Sequence, residues 1–348
     1  MRVISDCSGL VCRSDASIRQ AIAGLNANTY LFQIVLDAEG RVAGTLTDGD
    51  VRRALLRDVS LDDPVGRAMN GAPVTAPYHA YEQLLSKLPE LAGFLPLVDA
   101  EGRLKAVLVH DNEPRPVDAA LILAGGRGSR LGSRTSNRPK PLLPVADRPI
   151  LDHVLSAVER AGVSRIFVAV HYLADQIEAF LAARKNTAAV EVVAEQAPLG
   201  TAGALGLLPE LGTPVFVLNG DLITKVDLTA LASFHLRNGF DVTVGASEHT
   251  VQLPYGVIRY RDDGTFLRID EKPVLRHLVS GGIYLLSKRS RSLVSKGEAI
   301  DMPELINRAE HQGHQVGVFP IHEYWQDVGY PADLDRADEH YRTSDAGR

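Results

Sequence analysis

Apolar and polar positions along this chain of 348 residues follow two different rhythms. In the first third, short apolar runs flank acidic turns. Phe32 to Arg41 reads FQIVLDAEGR and Phe94 to Arg103 reads FLPLVDAEGR, an offset of 102 − 40 = 62 residues when Gly40 and Gly102 are matched. Each copy holds an apolar strand, an Asp-Ala-Glu-Gly turn and a second apolar strand, over 42–46 and 104–109. The pattern predicts one β-hairpin in each of two duplicated modules, about 1–63 and 64–113. Helical spacing surrounds the hairpins at 14–25, 48–56 and 78–91. Asp111-Asn112-Glu113-Pro114-Arg115-Pro116 then interrupts both rhythms, because two prolines in three residues oppose helix and central strand alike.

Beyond it, strands and helices alternate: strands at 119–124, 165–170, 190–194 and 214–218, and helices at 150–161, 173–184, 201–208 and 227–238. This alternation predicts an α/β domain, 118–342, with a mostly parallel sheet covered by helices on both faces. It follows an α+β module, 1–113, and a linker at 114–117; a flexible tail is expected at 343–348. Hydrophobic content of 45% suffices for packed cores, and a formal net charge of −6 speaks against nucleic acid as a partner. No apolar run reaches membrane-spanning length, and the N-terminus shows no secretory pattern. Cys7 and Cys12 read as reduced thiols, so a cytoplasmic protein is expected.

Chemistry concentrates where the strand Leu121-Ile122-Leu123-Ala124 runs into Gly125-Gly126-Arg127-Gly128-Ser129-Arg130, with Arg138-Pro139-Lys140-Pro141 ten residues on. Glycines at 125, 126 and 128 let backbone N–H groups approach a polyphosphate, and Arg130 and Lys140 add cations around the same anion. A dinucleotide fingerprint needs a different glycine spacing and a later acid, and a Walker loop needs Gly-Lys-Ser/Thr; neither is present. Val215-Phe216-Val217-Leu218-Asn219-Gly220-Asp221 reads as a buried strand ending in an acid, for which a metal ligand and a helix cap are equally good roles. His171, His235 and His249 lack partners at metal-ligand spacing.

The glycine segment, Thr135 and Pro139-Lys140-Pro141-Leu142-Leu143-Pro144-Val145 resemble the signature of sugar-1-phosphate nucleotidylyltransferases, the glucosamine- and mannose-1-phosphate guanylyltransferases among them. The likeness covers roughly 117–342 and departs from the signature at Gly132, Ser133 and Arg134. It implies a Rossmann-like nucleotidyltransferase sheet. It also implies nucleotide contacts at Leu123, Ala124, Gly125, Gly126, Gly128 and Ser129, with Arg130 and Lys140 as catalytic cations. Asn219-Gly220-Asp221 and Trp325-Gln326-Asp327-Val328-Gly329 match the family's metal segments, so Asp221 and Asp327 are the expected Mg2+ ligands. Asp333 is assigned to the helix beginning at Pro331. Glu195 to Gly203 is similar to the base-recognising loop, implying contacts from Glu195, Gln196, Gly200 and Thr201. A carboxylate can accept both donors of guanine's Watson–Crick edge, where uracil and thymine offer one; Glu195 fits that edge or open solvent. Tyr255 and Gly256, Glu271-Lys272-Pro273, and Ser280-Gly281-Gly282-Ile283-Tyr284 resemble the sugar side. Tyr255, Gly256, Glu271 and Gly282 are the implied sugar contacts, and Lys272 is the group that holds the sugar phosphate. Ser280 stands where the family carries asparagine.

The N-terminal repeats resemble a tandem pair of cystathionine β-synthase (CBS) domains, on Gly44-Thr45-Leu46-Thr47-Asp48-Gly49-Asp50-Val51-Arg52. That resemblance implies an adenine nucleotide held by Thr47 and Asp50, and a homo-oligomer. Asp48 and Asp50 could equally cap the following helix. The second copy has Ala106, Val109 and Asn112 where the first has Gly44, Thr47 and Asp50, so one competent site at most is expected. The implied activity is transfer of a nucleotidyl group from an NTP, GTP favoured, to an aminosugar or mannose 1-phosphate. The products would be an NDP-sugar for surface glycans and pyrophosphate. The alternatives are the same chemistry with UTP, CTP or dTTP, and a sugar-nucleotide sensor without turnover. The full set of Arg130, Lys140, Asp221 and Asp327 speaks against the sensor.

Overall fold

A computed structural model of the chain describes residues 2–28, 30–80, 93–109 and 117–345. The expected helix at 78–91 beyond Ala80, the segment 111–116 and the tail residues 346–348 lie outside the described residues. The chain divides into two compact units, Met1–Pro114 and Arg115–Arg348.

In the first unit seven strands are described: β1 (Arg2–Ile4), β2 (Val11–Arg13), β3 (Phe32–Leu36), β4 (Val42–Thr47), β5 (Ala76–Pro77), β6 (Phe94–Val98) and β7 (Leu104–Val109). They form two sheets, β2-β3-β4 and β1-β7-β6-β5, each built on one of the expected antiparallel hairpins. The first strand does not join its own repeat; β1 lies antiparallel to β7. The two hairpins meet through equivalent residues. The Val42 N–H donates to the Gly102 carbonyl at 3.0 Å, and the Leu104 N–H donates to the Gly40 carbonyl at 3.4 Å. Phe32 stacks on Phe94, its counterpart 62 positions on, with ring centroids 4.0 Å apart and planes 6° from parallel. Duplication has therefore produced a local twofold, and its axis runs through a shared apolar core that includes Leu10, Ile34 and Val107. The helix expected from residue 14 starts at Ile18, because Ser17 and Gln20 close a capping box that satisfies the first orphan N–H groups there.

The second unit contains β8 (Ala119–Leu123), β9 (Pro144–Val145), β10 (Arg148–Pro149), β11 (Arg165–Val170), β12 (Ala189–Ala194), β13 (Val215–Asn219), β14 (Leu222–Thr224), β15 (Val242–Gln252), β16 (Val257–Tyr260), β17 (Phe266–Asp270), β18 (Val274–Leu286), β19 (Val316–Ile321) and β20 (Trp325–Asp327). Seven of them form one sheet in the order β12-β11-β8-β13-β18-β15-β19. Both faces are covered. Ala120 and Ile122 of β8 pack with helices Ile150–Arg160, Ala174–Ala183 and Leu228–Asn238, while Ala119 and Leu121 pack with Ala202, Leu205 and helix Met302–His311. Two-sided burial is why these strands read as unbroken apolar runs. The sheet is mixed: β18 runs antiparallel to both neighbours, β13 and β15. Side-chain alternation carries no sign of strand direction, so this reversal was invisible in the pattern. The helix expected over 201–208 is instead a short α-turn, Gly200–Gly203, followed by a 3-10 turn, Ala204–Leu207. The final helix, Pro331–Asp345, reaches three residues into the expected tail. No helix among the described residues is long and apolar enough to cross a membrane.

Helix Leu228–Asn238 is tied to β15 by His235, whose Nδ1 lies 2.9 Å from the Thr243 hydroxyl. Burial pushes the imidazole from 6.5 down to about 4, against a smaller opposing pull from Asp241. An unfolded chain binds a proton below about pH 6.5 while the folded imidazole stays neutral to about pH 4, so stability falls as pH drops through that window. His235→Gln should flatten this part of the acid dependence in denaturant unfolding. An unchanged slope between pH 6.5 and 4 would remove His235 as its source.

Candidate active site

The carboxyl ends of β8, β11, β12 and β13 deliver the predicted residues to one edge of the sheet. From β8 the chain leads left to β11 and β12, and then returns to β13 on the other side of β8. Parallel sheets bind ligands at such a reversal, beyond the carboxyl ends of the strands. There the Gly220 N–H donates to the Leu123 carbonyl at 2.8 Å. A Cβ on Gly220 would stand 2.7 Å from that carbonyl oxygen, so only glycine lets the two strand ends close this tightly. The contact sets Asp221 beside the glycine loop.

Lys140 comes from the far end of the same loop. Its ammonium is ion-paired with Asp221 Oδ2 and lies 3.8 Å from Asp327 Oδ1. Asp221 and Asp327 are 106 positions apart, and the ladder of β14 with β20 joins them by pairing Leu222 with Asp327. The Val328 N–H adds a bond to the Asp221 carbonyl at 3.2 Å. Asp221 is followed by a strand, so the helix-cap role is excluded. Burial pushes the Asp327 carboxyl up; Asp221 adds to the rise, and Lys140 and Arg130 oppose it. Asp221 Oδ1 is buried without a hydrogen-bond partner. A buried, unpaired carboxylate oxygen is costly unless a cation completes it, so the pair fits a divalent ion. Among the described residues no group of three or more His, Cys, Asp or Glu is arranged to hold a metal, so the remaining ligands would have to come from substrate.

The loop itself is braced from beneath. The Thr135 hydroxyl donates to the Gly128 carbonyl at 3.0 Å, and Leu131, Leu143 and Val145 pack against Ile223, Val328, Leu334 and Ala337. Leu123 is half-buried and Ala124 buried, while Gly126, Ser129 and Arg130 are exposed. The Arg130 guanidinium lies 6.0 Å from the Tyr330 ring centroid. On the other flank His171 Nδ1 donates to the Glu195 carbonyl at 3.0 Å. A Cβ on Gly125 would approach Glu195 Oε2 to 3.4 Å, so this carboxylate lies against the glycine loop rather than in open solvent. Burial pushes the Glu195 carboxyl up, with the Leu199 N–H and His171 pulling down. Gln196 is exposed.

Gly200 and Thr201 do something the sequence did not suggest. Gly200 has φ +76°, and a Cβ there would meet the Ile300 carbonyl at 2.6 Å. The missing side chain makes room for a neighbouring segment. Asp301 Oδ1 accepts from the Thr201 N–H at 2.9 Å and from its hydroxyl at 3.2 Å, and the Met302 N–H donates to Thr201 Oγ1 at 2.7 Å. Asp301 precedes Met302-Pro303 and reads as an ordinary helix cap, yet its side chain makes no cap bond to its own helix. It clasps the Glu195–Gly203 loop instead, and nothing in its local sequence signals that.

In the segment expected to face the sugar, Gly282 packs on Asn219: a Cβ at Gly282 would lie 2.5 Å from Asn219 Nδ2. Trp325 Nε1 donates to the Gly281 carbonyl at 2.8 Å, which anchors this segment to the strand carrying Asp327. Tyr255, Gly256, Glu271 and Lys272 are exposed at the base of hairpin β16–β17. Lys272 has φ +44°, a left-handed conformation that strains an L-residue. In the first unit, the capping box of helix Asp48–Leu55 engages both candidate residues. Asp50 Oδ2 accepts from the Thr47 N–H at 2.8 Å and its hydroxyl at 2.6 Å, and Asp50 Oδ1 accepts from Arg53 at 2.6 Å.

A glycine-rich loop, a facing lysine and two carboxylates thus meet at the sheet's reversal point, where α/β folds take their ligands. Residues 119–344 match the family model described as Nucleotidyl transferase, and the chain belongs to that family. It is 34% identical over 224 residues to a protein named mannose-1-phosphate guanylyltransferase catalytic subunit beta in Drosophila pseudoobscura pseudoobscura, and 31% identical to that of Xenopus tropicalis. Each match takes in 62% of this chain, and the chain spans 60% and 62% of those relatives' lengths. Among solved structures, HddC from Yersinia pseudotuberculosis is 26% identical with a TM-score of 0.51, over 64% of this chain and 99% of that one; it is also known complexed with GMP-PN.

The clasp has a direct readout. Asp301→Ala should speed hydrogen exchange of the Thr201 amide roughly tenfold, since it removes a bond worth about 1–1.5 kcal/mol. Asp301→Asn, which keeps an acceptor, should stay near wild type. Equal exchange in all three proteins would mean that the clasp does not hold the loop.

Proposed function

We propose that the C-terminal unit transfers a nucleotidyl group from an NTP to a sugar 1-phosphate. The observation that carries this reading is Lys140, ion-paired with Asp221 and 3.8 Å from Asp327, beside the Gly125–Gly128 loop. A phosphate oxygen of the sugar 1-phosphate attacks the α-phosphorus. The new P–O bond forms as the bond to the bridging oxygen breaks, and the electron pair leaves with pyrophosphate. Positioning and charge neutralisation govern such a step, so the protein needs cations at fixed places rather than a nucleophile. The N–H groups of 125–128 cradle the triphosphate. Arg130, exposed and facing the Tyr330 ring, stabilises the leaving pyrophosphate. Lys140 bridges the α-phosphate and the incoming phosphate. Asp221 and Asp327 would hold Mg2+, which supplies charge neutralisation at the phosphates. Lys272 holds the sugar phosphate, and Tyr255, Gly256, Glu271 and Gly282 surround the sugar.

GTP is the base we favour. Glu195 lies against the glycine loop, where its carboxylate can take both donors of guanine. The guanylyltransferase names of the curated relatives and the GMP-PN complex of HddC point the same way. The relatives' names also support mannose 1-phosphate as the acceptor over an aminosugar. For the first unit we propose regulation by an adenine nucleotide at Thr47 and Asp50. A ribose would have to displace Arg53 from Asp50; the Arg53 side chain is 54% exposed, so little stability is lost in the exchange.

Pyrophosphate release measured over a panel of NTPs and sugar 1-phosphates tests the main reading. GTP with mannose 1-phosphate should turn over fastest, and Lys140→Ala or Asp221→Ala should lower kcat by about 10² or more with the fold intact. Near-normal rates in either variant would overturn the assignment, and nucleotide binding without turnover on any pair would make the chain a sensor. Millimolar ATP or AMP should raise the melting temperature of the wild type but not of Asp50→Ala, each compared with its own nucleotide-free state. No shift in the wild type removes the regulatory role.

A further inference from the structure

Of the sixteen large apolar side chains exposed among the described residues, nine fall between Val251 and Leu278. Their centre is the hairpin β16–β17. Its register pairs Ile258 with Ile269 and Tyr260 with Phe266, and a bulge follows Arg259. Ile258 and Tyr260, two apart on their strand, share a face, and directly paired residues lie side by side, so the pairing brings Ile269 and Phe266 to that face across the bulge. They are 57%, 54%, 68% and 59% exposed. The opposite face carries the charges: Asp270 accepts from Arg259 at 2.9 Å and from Arg268 at 2.7 Å. The hairpin is thus sorted into one ionic face and one apolar face, and no side chain among the described residues buries the apolar face.

We propose that this apolar face docks against the same face of a second copy of the chain, about a twofold axis. A two-stranded hairpin in water is marginal unless its apolar side is covered. Monomeric proteins rarely leave such a face open. The occupant follows from the chemistry of the face. It presents no charge and no amide, so it complements itself and offers no ion-pair partner by which a charged peptide would be held. The tip, Arg261-Asp262-Asp263-Gly264, carries one cation and two anions, which disfavours an anionic lipid surface. Aromatic side chains present about 150–250 Å² each, so the four residues offer on the order of 500 Å² per copy. Val251, Val274 and Leu278 of the adjoining ribbon extend that toward the roughly 800 Å² per partner of a stable interface.

The hairpin springs directly from the residues assigned to the sugar. A Cβ on Gly256 would lie 2.8 Å from Ile269 Cγ2 and 3.0 Å from Glu271 Oε2, so fixing the apolar face also fixes the base that carries Glu271 and Lys272. The association itself does not depend on the activity proposed above.

Sedimentation of the full chain at micromolar concentrations tests the interface without any substrate. The wild type should sediment as a dimer or an even multiple. Ile258→Glu with Tyr260→Glu should halve the mass, or raise the dissociation constant roughly a hundredfold. Tyr260→Ser is the milder variant if the double variant lacks a cooperative melt, and should weaken association in the same direction. Amides of 257–260 and 266–270 should gain protection from hydrogen exchange as wild-type concentration rises. A monomeric wild type, or variants that fold and keep the wild-type mass, would overturn the proposal. So would flotation with phosphatidylglycerol vesicles that Ile258→Glu abolishes without changing the mass, since that assigns the face to lipid.

Discussion

The site depends on one close approach. β8 and β13 lie side by side, and at their carboxyl ends the chain must turn two ways at once, into the glycine loop and into Asp221. The Gly220 N–H bonded to the Leu123 carbonyl at 2.8 Å closes that junction, with no room for a side chain between them. Everything chemical is arranged around it. The loop leaves on one side and returns with Lys140; Asp221 leaves on the other and pairs, through β14, with the strand that brings Asp327. A wider junction would separate the lysine from the carboxylates, and the half-buried Asp221 would lose the cation that compensates it.

Around that junction the supporting contacts are mostly made by residues with no chemical role. Thr135 holds the glycine loop by its carbonyl, and Leu131 and Leu143 bury its two ends under the C-terminal helix. Asp301 clasps Thr201, and Trp325 ties the Gly281 carbonyl to the strand of Asp327. Only the segment proposed to hold the sugar stands apart. Glu271 and Lys272 sit exposed on an arm whose one face is apolar, and Lys272 is held in a left-handed conformation. Strain of that kind persists where the surrounding structure imposes it, which fits a residue whose position matters more than its comfort.

The first unit shows duplication turned into symmetry. Equivalent positions 62 apart contact each other across a local axis, and the stacked Phe32 and Phe94 lie on it. The repeats then diverged where chemistry is possible. The first keeps Thr47 and Asp50 in a capping box, while Ala106 and Val109 in the second are buried apolar residues with no polar group to offer. A helix cap and a ribose ligand draw on the same carboxylate, so the fold alone is equally served by either use.

Much of this was legible in the chain. The hairpins at Phe32 and Phe94, the alternation of strands and helices after Ala119, and the sequence around Gly125 and Lys140 follow from local preferences and spacing, which act between near neighbours. The direction of β18 was not legible, because alternation of side chains is the same for a strand read either way. The meeting of Asp221 with Asp327, 106 positions apart, was expected from the family resemblance alone, since local spacing says nothing of it and it is the pairing of β14 with β20 that brings them together. Asp301 is the sharpest case. As a sequence it is a helix cap, and as a structure it holds another segment, because a carboxylate bonds to whichever unpaired N–H the fold brings nearest. Local order and the kinds of chemistry available were determined by the sequence itself. Which groups share one site was decided by tertiary packing, because hydrogen bonds and charges act over a few ångströms and sequence distance does not measure them.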